Sequence, residues 1–202
     1  MDEWGTWWDV EPGTDPGHLF QQNTMRDAIV ASVSLDIFHK YTRRIKMANI
    51  AQVVNVLQSM ILTRGDQMVL TPTYYVFEMY KVHQDAEFIP VEYATSEIAN
   101  SDKGPVPSLS VTASRKDGAV NVDITNPDLK NGQTILLTWD TLGKVKKENV
   151  SARILTAKRI NAYNDFGKQP EVTPVEFKDF KVTDKGIEIK APAMSIIAIA
   201  IK

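Results

Sequence analysis

Two carboxylates followed at once by three indoles open this chain, as Asp2-Glu3-Trp4-Gly5-Thr6-Trp7-Trp8. A carboxylate can attack an anomeric carbon or carry a proton, and an indole face packs well on a sugar ring. The heptapeptide thus has the residue types of a sugar-cleaving site, and equally those of a surface acid beside core tryptophans. Terminal residues are seldom tied down, yet this segment reads as the end of a buried strand running into a loop. Other chemistries are harder to assemble. The chain has no cysteine, which excludes disulfides and thiolate metal ligands and leaves the redox compartment open. His18, His39 and His83 stand far apart without ligand spacing, so neither a metal nor a cofactor is expected.

The 202 residues allow one large domain or two small ones. A formal net charge of -2 leaves no basic excess to neutralise phosphates, which argues against nucleic acid or an anionic membrane as partner. The first residues lack the basic-then-apolar pattern of a secretory signal. No stretch reads as a bilayer span, and Ile196-Ile197-Ala198-Ile199-Ala200-Ile201 fits a buried strand. The cellular location is left open, with cytoplasmic and periplasmic or extracellular placement both compatible.

The elements that would position the heptapeptide follow it. Glu11-Pro12-Gly13-Thr14-Asp15-Pro16-Gly17 is dense in breakers and reads as a loop. Thr24 with Asp27 three positions on is a capping-box start, and Ala28, Ile29, Ala31, Ser32, Leu35 and Phe38 continue at helical spacing. The pattern predicts a second helical segment over Met47–Gln52, then a short buried parallel strand over Val53–Leu57. Arg64-Gly65-Asp66 marks a turn, and Thr71-Pro72 begins a helix running to about His83. Repeated β/α units are the grammar of a (β/α)₈ barrel, and two such units are too few to close one. The expectation is a barrel whose earlier units lie upstream.

From about Asp85 the texture changes to short alternating runs. Val106–Ala113 and Gly118–Thr125 flank an Asp-Gly hairpin signal at Lys116-Asp117-Gly118. Thr134–Trp139, Val150–Lys158, Glu176–Val182, Gly186–Ile189 and Met194–Ile201 read as further strands, with a turn at Asp184-Lys185-Gly186. Strands at this spacing predict an antiparallel β-sandwich. Ala99–Pro105 reads as a flexible loop inside it. The fold class is therefore α+β: the last β/α units of an incomplete (β/α)₈ barrel over 1–84, then an antiparallel β-sandwich over 85–202.

Asp-Glu-Trp at 2–4 with the Trp7 that follows, Asn23-Thr24-Met25-Arg26-Asp27-Ala28, Met47-Ala48-Asn49-Ile50-Ala51-Gln52 and Leu70-Thr71-Pro72-Thr73-Tyr74 resemble the C-terminal half of α-L-arabinofuranosidases of glycoside hydrolase family 51. The likeness runs on through Asn161, Asn164-Asp165 and Val172-Thr173-Pro174. It implies a sandwich of jelly-roll type and a catalytic nucleophile at Glu3, at the end of the seventh barrel strand. The partner acid/base would lie on the fourth barrel strand, upstream of this chain. The adjacent Asp2 is a poor substitute, because neighbouring residues on a strand point to opposite sides. Glu11, on its loop, is another. Trp7 resembles a tryptophan lining the arabinose subsite, while Trp4 packs beneath the strand. Thr71 stands where family members often carry a sugar-bonding glutamine. Thr71 and Tyr74 complete the expected substrate contacts, with core roles for Tyr74 and Tyr75 left open.

Three readings follow. The chain is the C-terminal part of a retaining hydrolase that removes α-L-arabinofuranosyl residues from arabinose-containing polysaccharides or oligosaccharides, and is inactive without its acid/base. Alternatively it is a non-catalytic carbohydrate-binding or structural sandwich, although Trp139, Tyr93 and Tyr163 form no stacking platform. A third reading makes it an element of a homo-oligomer.

Overall fold

Thr24 turns the chain into its first helix, because the Asp27 side chain reaches back to the Thr24 N–H at 2.8 Å. The resulting helix α1 spans Met25–Lys40. Its first-turn N–H groups, which no helical carbonyl can satisfy, bond instead to a distant segment: Met25 N–H to the Ala162 carbonyl (2.9 Å) and Arg26 N–H to that of Ile160 (2.8 Å). The structure, a computed structural model, describes residues 1–101, 104–140 and 143–202. It divides into two compact units, Met1–Met79 with Ala157–Thr173, and Tyr80–Thr156 with Pro174–Lys202.

In the first unit α1 is followed by a hairpin, β1 (Ile61–Arg64) and β2 (Gln67–Leu70), and by helix α2 (Pro72–Tyr80). Met25, Ala28 and Ala31 of α1 and Val76 of α2 are fully buried. The N-terminal residues run alongside 47–51: Trp4 and Ile50 form a parallel bridge, and the Ala51 N–H donates to the Trp4 carbonyl at 2.9 Å. Two expectations fail here. Met47–Gln52 is irregular, not helical, with the Asn49 and Ala51 N–H groups bonding to the Met1 and Trp4 carbonyls instead of to a preceding turn. Val53–Leu57 is a series of bends with one bridge, Val54 to Ile61; Asn55 and Leu57 take positive φ, and Val53 and Val54 are exposed.

The segment 157–173, read from sequence as part of the trailing sandwich, groups with the first unit. Asn164 is the reason: its Nδ2 donates to the Leu70 and Val172 carbonyls, each at 2.9 Å, and its Oδ1 accepts from the Val172 N–H at 2.8 Å.

The second unit is antiparallel β. Its strands are β3 (Glu87–Ile89), β4 (Glu97–Ser101), β5 (Gly104–Pro107), β6 (Ser110–Lys116), β7 (Ala119–Asn126), β8 (Gln133–Leu137), β9 (Val150–Thr156), β10 (Val175–Glu176), β11 (Phe180–Thr183), β12 (Gly186–Ala191) and β13 (Ser195–Ile201). A six-stranded sheet is ordered β10-β9-β13-β7-β6-β3, a three-stranded sheet β11-β12-β8, and β4 pairs with β5 alone. The sequence loop over 99–105 is thus largely that β4–β5 hairpin, and its tip, 102–103, lies outside the described residues. The core joins the two sheets through Val111, Val122, Ile124, Ile154, Ile197 and Ile199 on one side and Ile187 and Ile189 on the other. This is a β-sandwich.

The expected run Glu176–Val182 is two strands, β10 and β11, in different sheets. Asp117 and Gly118 form the two-residue hairpin turn with φ of 51° and 78°, the conformation for which Asp-Gly is suited. At Gly186 (φ 140°) an added Cβ would stand 2.2 Å from the Leu137 carbonyl oxygen, so only glycine lets β12 approach β8.

Candidate functional site

Gly5 has φ 143° and bends the chain just past the carboxylates. The bend presents the Thr6 N–H to Gln58 Oε1 at 2.8 Å. Gln58 is fully buried, and its Nε2 donates onward to the Asp27 carbonyl (2.7 Å) and the Thr73 hydroxyl (3.2 Å). One glutamine thereby ties the loop after Glu3 to α1 and to α2.

Asp27, also fully buried, is the centre of this arrangement. Its Oδ1 accepts from the Thr6 hydroxyl and from the Trp8 indole Nε1, both at 2.7 Å. Its Oδ2 accepts from the Thr24 N–H and hydroxyl. Gln21 reinforces the loop, donating to the Thr6 hydroxyl at 2.8 Å and accepting from the Trp8 N–H at 3.1 Å. The guanidinium of Arg26 lies 3.7 Å from the Trp8 ring centroid, a cation–π contact. Trp8 is therefore held at its main chain, its indole N–H and its ring face.

The candidate residues read from sequence fall into distinct environments. Glu3 is exposed and has no hydrogen-bond or ion-pair partner among the described residues. Trp7 is 69% exposed. With Trp8, Pro16, Leu19, Phe20 and Leu57 it lines a shallow, open cleft. Trp4 packs inward, 5.2 Å from Phe38 and 6.0 Å from Phe77 between ring centroids. Tyr74 is half-buried, edge-on to Tyr75 at 5.5 Å. Burial, with smaller contributions from Tyr74 and Glu78, pushes the Tyr75 hydroxyl above its ordinary pKa.

Thr71, expected as a sugar contact, is buried in this chain. It is 1% exposed, and its hydroxyl donates to the Ser59 carbonyl at 2.9 Å while accepting from the Tyr74 N–H. Both of its hydrogen-bonding directions serve the start of α2. Glu11, on its loop, accepts from the Gln22 N–H at 3.0 Å and so braces the loop against the segment leading into α1.

Sequence reading did not find Thr6, Gln21 or Gln58, and saw Asp27 only as a helix cap. The capping box did flag Asp27. Nothing in the one-dimensional pattern brings Trp8 and Gln58 to it, since they lie 19 and 31 residues away.

The second unit contains a different cluster. His83 Nδ1 lies 2.7 Å from the Ser114 hydroxyl, and its Nε2 is 2.5 Å from Asp123 Oδ2. These are the residue types of a nucleophilic triad, but both charged-group side chains are almost wholly buried, at 2% and 1% exposure. Ser114 is buried as well, so no substrate could reach it. Burial pushes the Asp123 carboxyl above the usual carboxylate range, against the opposing pull of His83. The cluster is a latch between the 3₁₀ turn Lys81–His83 and strands β6 and β7. Among the described residues no three His, Asp or Glu side chains are grouped to hold a metal ion, and no helix is long and apolar enough to cross a membrane.

The family sequence model for the alpha-L-arabinofuranosidase C-terminal domain matches residues 2–195, and the chain belongs to that family. Over its whole length it is 52% identical to an intracellular exo-alpha-L-arabinofuranosidase of Bacteroides ovatus, covering 39% of that protein. The crystal structure of a GH51 arabinofuranosidase from Xanthomonas axonopodis pv. citri superposes with a TM-score of 0.93 at 45% identity, over 100% of this chain and 40% of that one. An alpha-L-arabinofuranosidase of Thermotoga maritima, solved as an arabinose complex, superposes with a TM-score of 0.77 at 25% identity, over 99% of this chain and 42% of that one. The chain thus spans about two fifths of the length of these relatives.

Proposed function

We propose that this chain works as the C-terminal part of a retaining α-L-arabinofuranosidase acting on arabinose-containing polysaccharides or oligosaccharides. Residues 1–84 supply the last β/α units of its (β/α)₈ barrel, followed by a sandwich of jelly-roll type with a structural role. The observation that supports the reading is the isolated parallel bridge from Trp4 to Ile50, with α1 between them in sequence and an exposed carboxylate one residue before the bridge. Catalytic groups of such barrels stand at strand ends, where the backbone is rigid and the side chain still reaches the cleft.

In this mechanism the Glu3 carboxylate attacks the anomeric carbon and forms an ester bond as the glycosidic C–O bond breaks. A second carboxyl, contributed by the part of the enzyme beyond this chain, protonates the departing oxygen. The same group then takes a proton from water, which displaces Glu3 and regenerates the carboxylate. Trp7, whose ring is exposed, would offer an indole face to the furanose ring, with Tyr74 as a further substrate contact. Trp139 and Tyr93 pack against the sandwich core, which supports a bracing role for that domain over a sugar-binding one.

The test is Glu3→Gln in the enzyme that contains this chain, with an aryl α-L-arabinofuranoside as substrate. Turnover should be lost with the fold intact, and azide should restore part of it in Glu3→Ala or Glu3→Gly. An enzyme that keeps its rate without the Glu3 carboxyl disproves the assignment.

A further inference from the structure

We infer that Asp27 is a positioning residue for the hydrolase site, acting through Trp8. The inference rests on the arabinofuranosidase reading and extends it to residues with no assigned part in the reaction. Trp8 forms one wall of the aromatic cleft, next to Trp7 and five residues after Glu3. Trp8 is 39% exposed, so packing covers only part of it. The indole N–H donating to Asp27 Oδ1 at 2.7 Å supplies the missing restraint, and Arg26 stacked on the ring face supplies a second.

The carboxylate suits this task better than an amide would. Every group aimed at it is a donor: the Trp8 indole and Thr6 hydroxyl at Oδ1, the Thr24 N–H and hydroxyl at Oδ2. An ionised carboxyl accepts at both oxygens, whereas an asparagine must turn an NH₂ toward one pair of donors. Asp27→Asn keeps the shape and sets donor against donor at one end. Because Thr6 and Trp8 share Oδ1, the same oxygen fixes both the bend after Gly5 and the cleft wall. A displacement of about 1 Å at a reacting centre costs on the order of a hundredfold in rate.

The experiment is a double-mutant cycle of Asp27→Asn and Trp8→Phe in the enzyme containing this chain, with kcat, KM and thermal midpoint measured for each. Trp8→Phe keeps a ring on the cleft wall and removes only the N–H donor, so it reports on the link even if Asp27→Asn folds poorly. Both single variants should lose roughly tenfold to a hundredfold in kcat/KM, and the double variant should be little worse than the weaker single. Losses that multiply, or a Trp8→Phe enzyme with unchanged kcat/KM, overturn the inference. A spectroscopic arm separates this failure from failure of the hydrolase reading. With ¹⁵N-indole labelling, the Trp8 Nε1–H resonance, assigned by its loss in Trp8→Phe, should move upfield and exchange faster in Asp27→Asn. A resonance indifferent to Asp27 refutes the positioning link whatever Glu3 does, whereas an active Glu3→Gln enzyme refutes the hydrolase reading alone.

Discussion

The indole N–H of Trp8 and the buried carboxyl of Asp27 meet at 2.7 Å, joining the loop that follows Glu3 to the first turn of α1. A single carboxyl is thus both helix cap and loop anchor. Removing it leaves the buried Thr6 and Thr24 donors, and the half-buried Trp8 indole N–H, without their acceptor.

Asp27→Ala should therefore destabilise the protein by about 2–4 kcal/mol, combining a lost cap with orphaned buried donors. Thr24→Ala, which keeps the carboxyl, should cost about 1 kcal/mol. Urea unfolding of the two variants checks the order, and equal losses would show that the carboxyl acts as a cap alone.

At Gly5 a methyl group would stand 3.2 Å from Gln58 Oε1 on a backbone with φ 143°. Gly5→Ala should cost about 1–3 kcal/mol through backbone strain. In the full enzyme it should also lower kcat, since the bend carries the residues next to Glu3. Chemical denaturation alongside steady-state kinetics measures both.

Thr71 and Trp7 should separate stability from binding. Thr71→Val removes a buried hydroxyl bonded to the Ser59 carbonyl, and should lose about 1–2 kcal/mol with KM unchanged. Trp7→Ala removes an exposed ring, and should raise KM with the thermal midpoint nearly unmoved. A KM effect from Thr71→Val would restore it as a sugar contact.

The latch at His83 has a pH signature. Because burial holds the Asp123 carboxyl above the 3.8 of an ordinary aspartate, the folded state keeps a proton that the unfolded chain has released. The contribution is complete below the unfolded value and is lost as pH rises through the folded one. The stability of the wild type relative to Asp123→Asn should therefore decline from about pH 4 upward. Lys81, Arg115, Lys116 and Glu87, the other charged groups on the elements packed there, are not buried and should add little slope. His83→Ala, which strips the partner from a buried acid, should cost about 3–5 kcal/mol near neutrality. Guanidinium unfolding across this pH range checks the slope, and a stability difference that grew with pH would reverse the assignment.

Local chemistry was enough for much of the fold. Thr24 with Asp27 and Thr71 with Pro72 marked both helix starts, because a cap is a contact between near neighbours. Asp117-Gly118 marked the β6–β7 turn, because few other residues tolerate positive φ at both positions. Short apolar runs bounded by turn residues, such as Gly186–Ile189 and Met194–Ile201, marked the strands of the sandwich. The motifs around Glu3, Asn23–Ala28 and Thr71–Tyr74 carried the family.

What the sequence could not determine were the long-range partnerships. Residues 47–52 looked helical because their own neighbours permit it; they are not, because the Asn49 and Ala51 N–H groups bond to Met1 and Trp4. Residues 157–173 looked like sandwich because β-strands flank them, and Asn164 binds them instead to Leu70, 94 positions away. Asp123 and Ser114 sit on the second face of β7 and β6, where a strand pattern predicts solvent, yet both are buried. In each case the deciding contact joins residues that no local period relates, so only the folded chain brings them together.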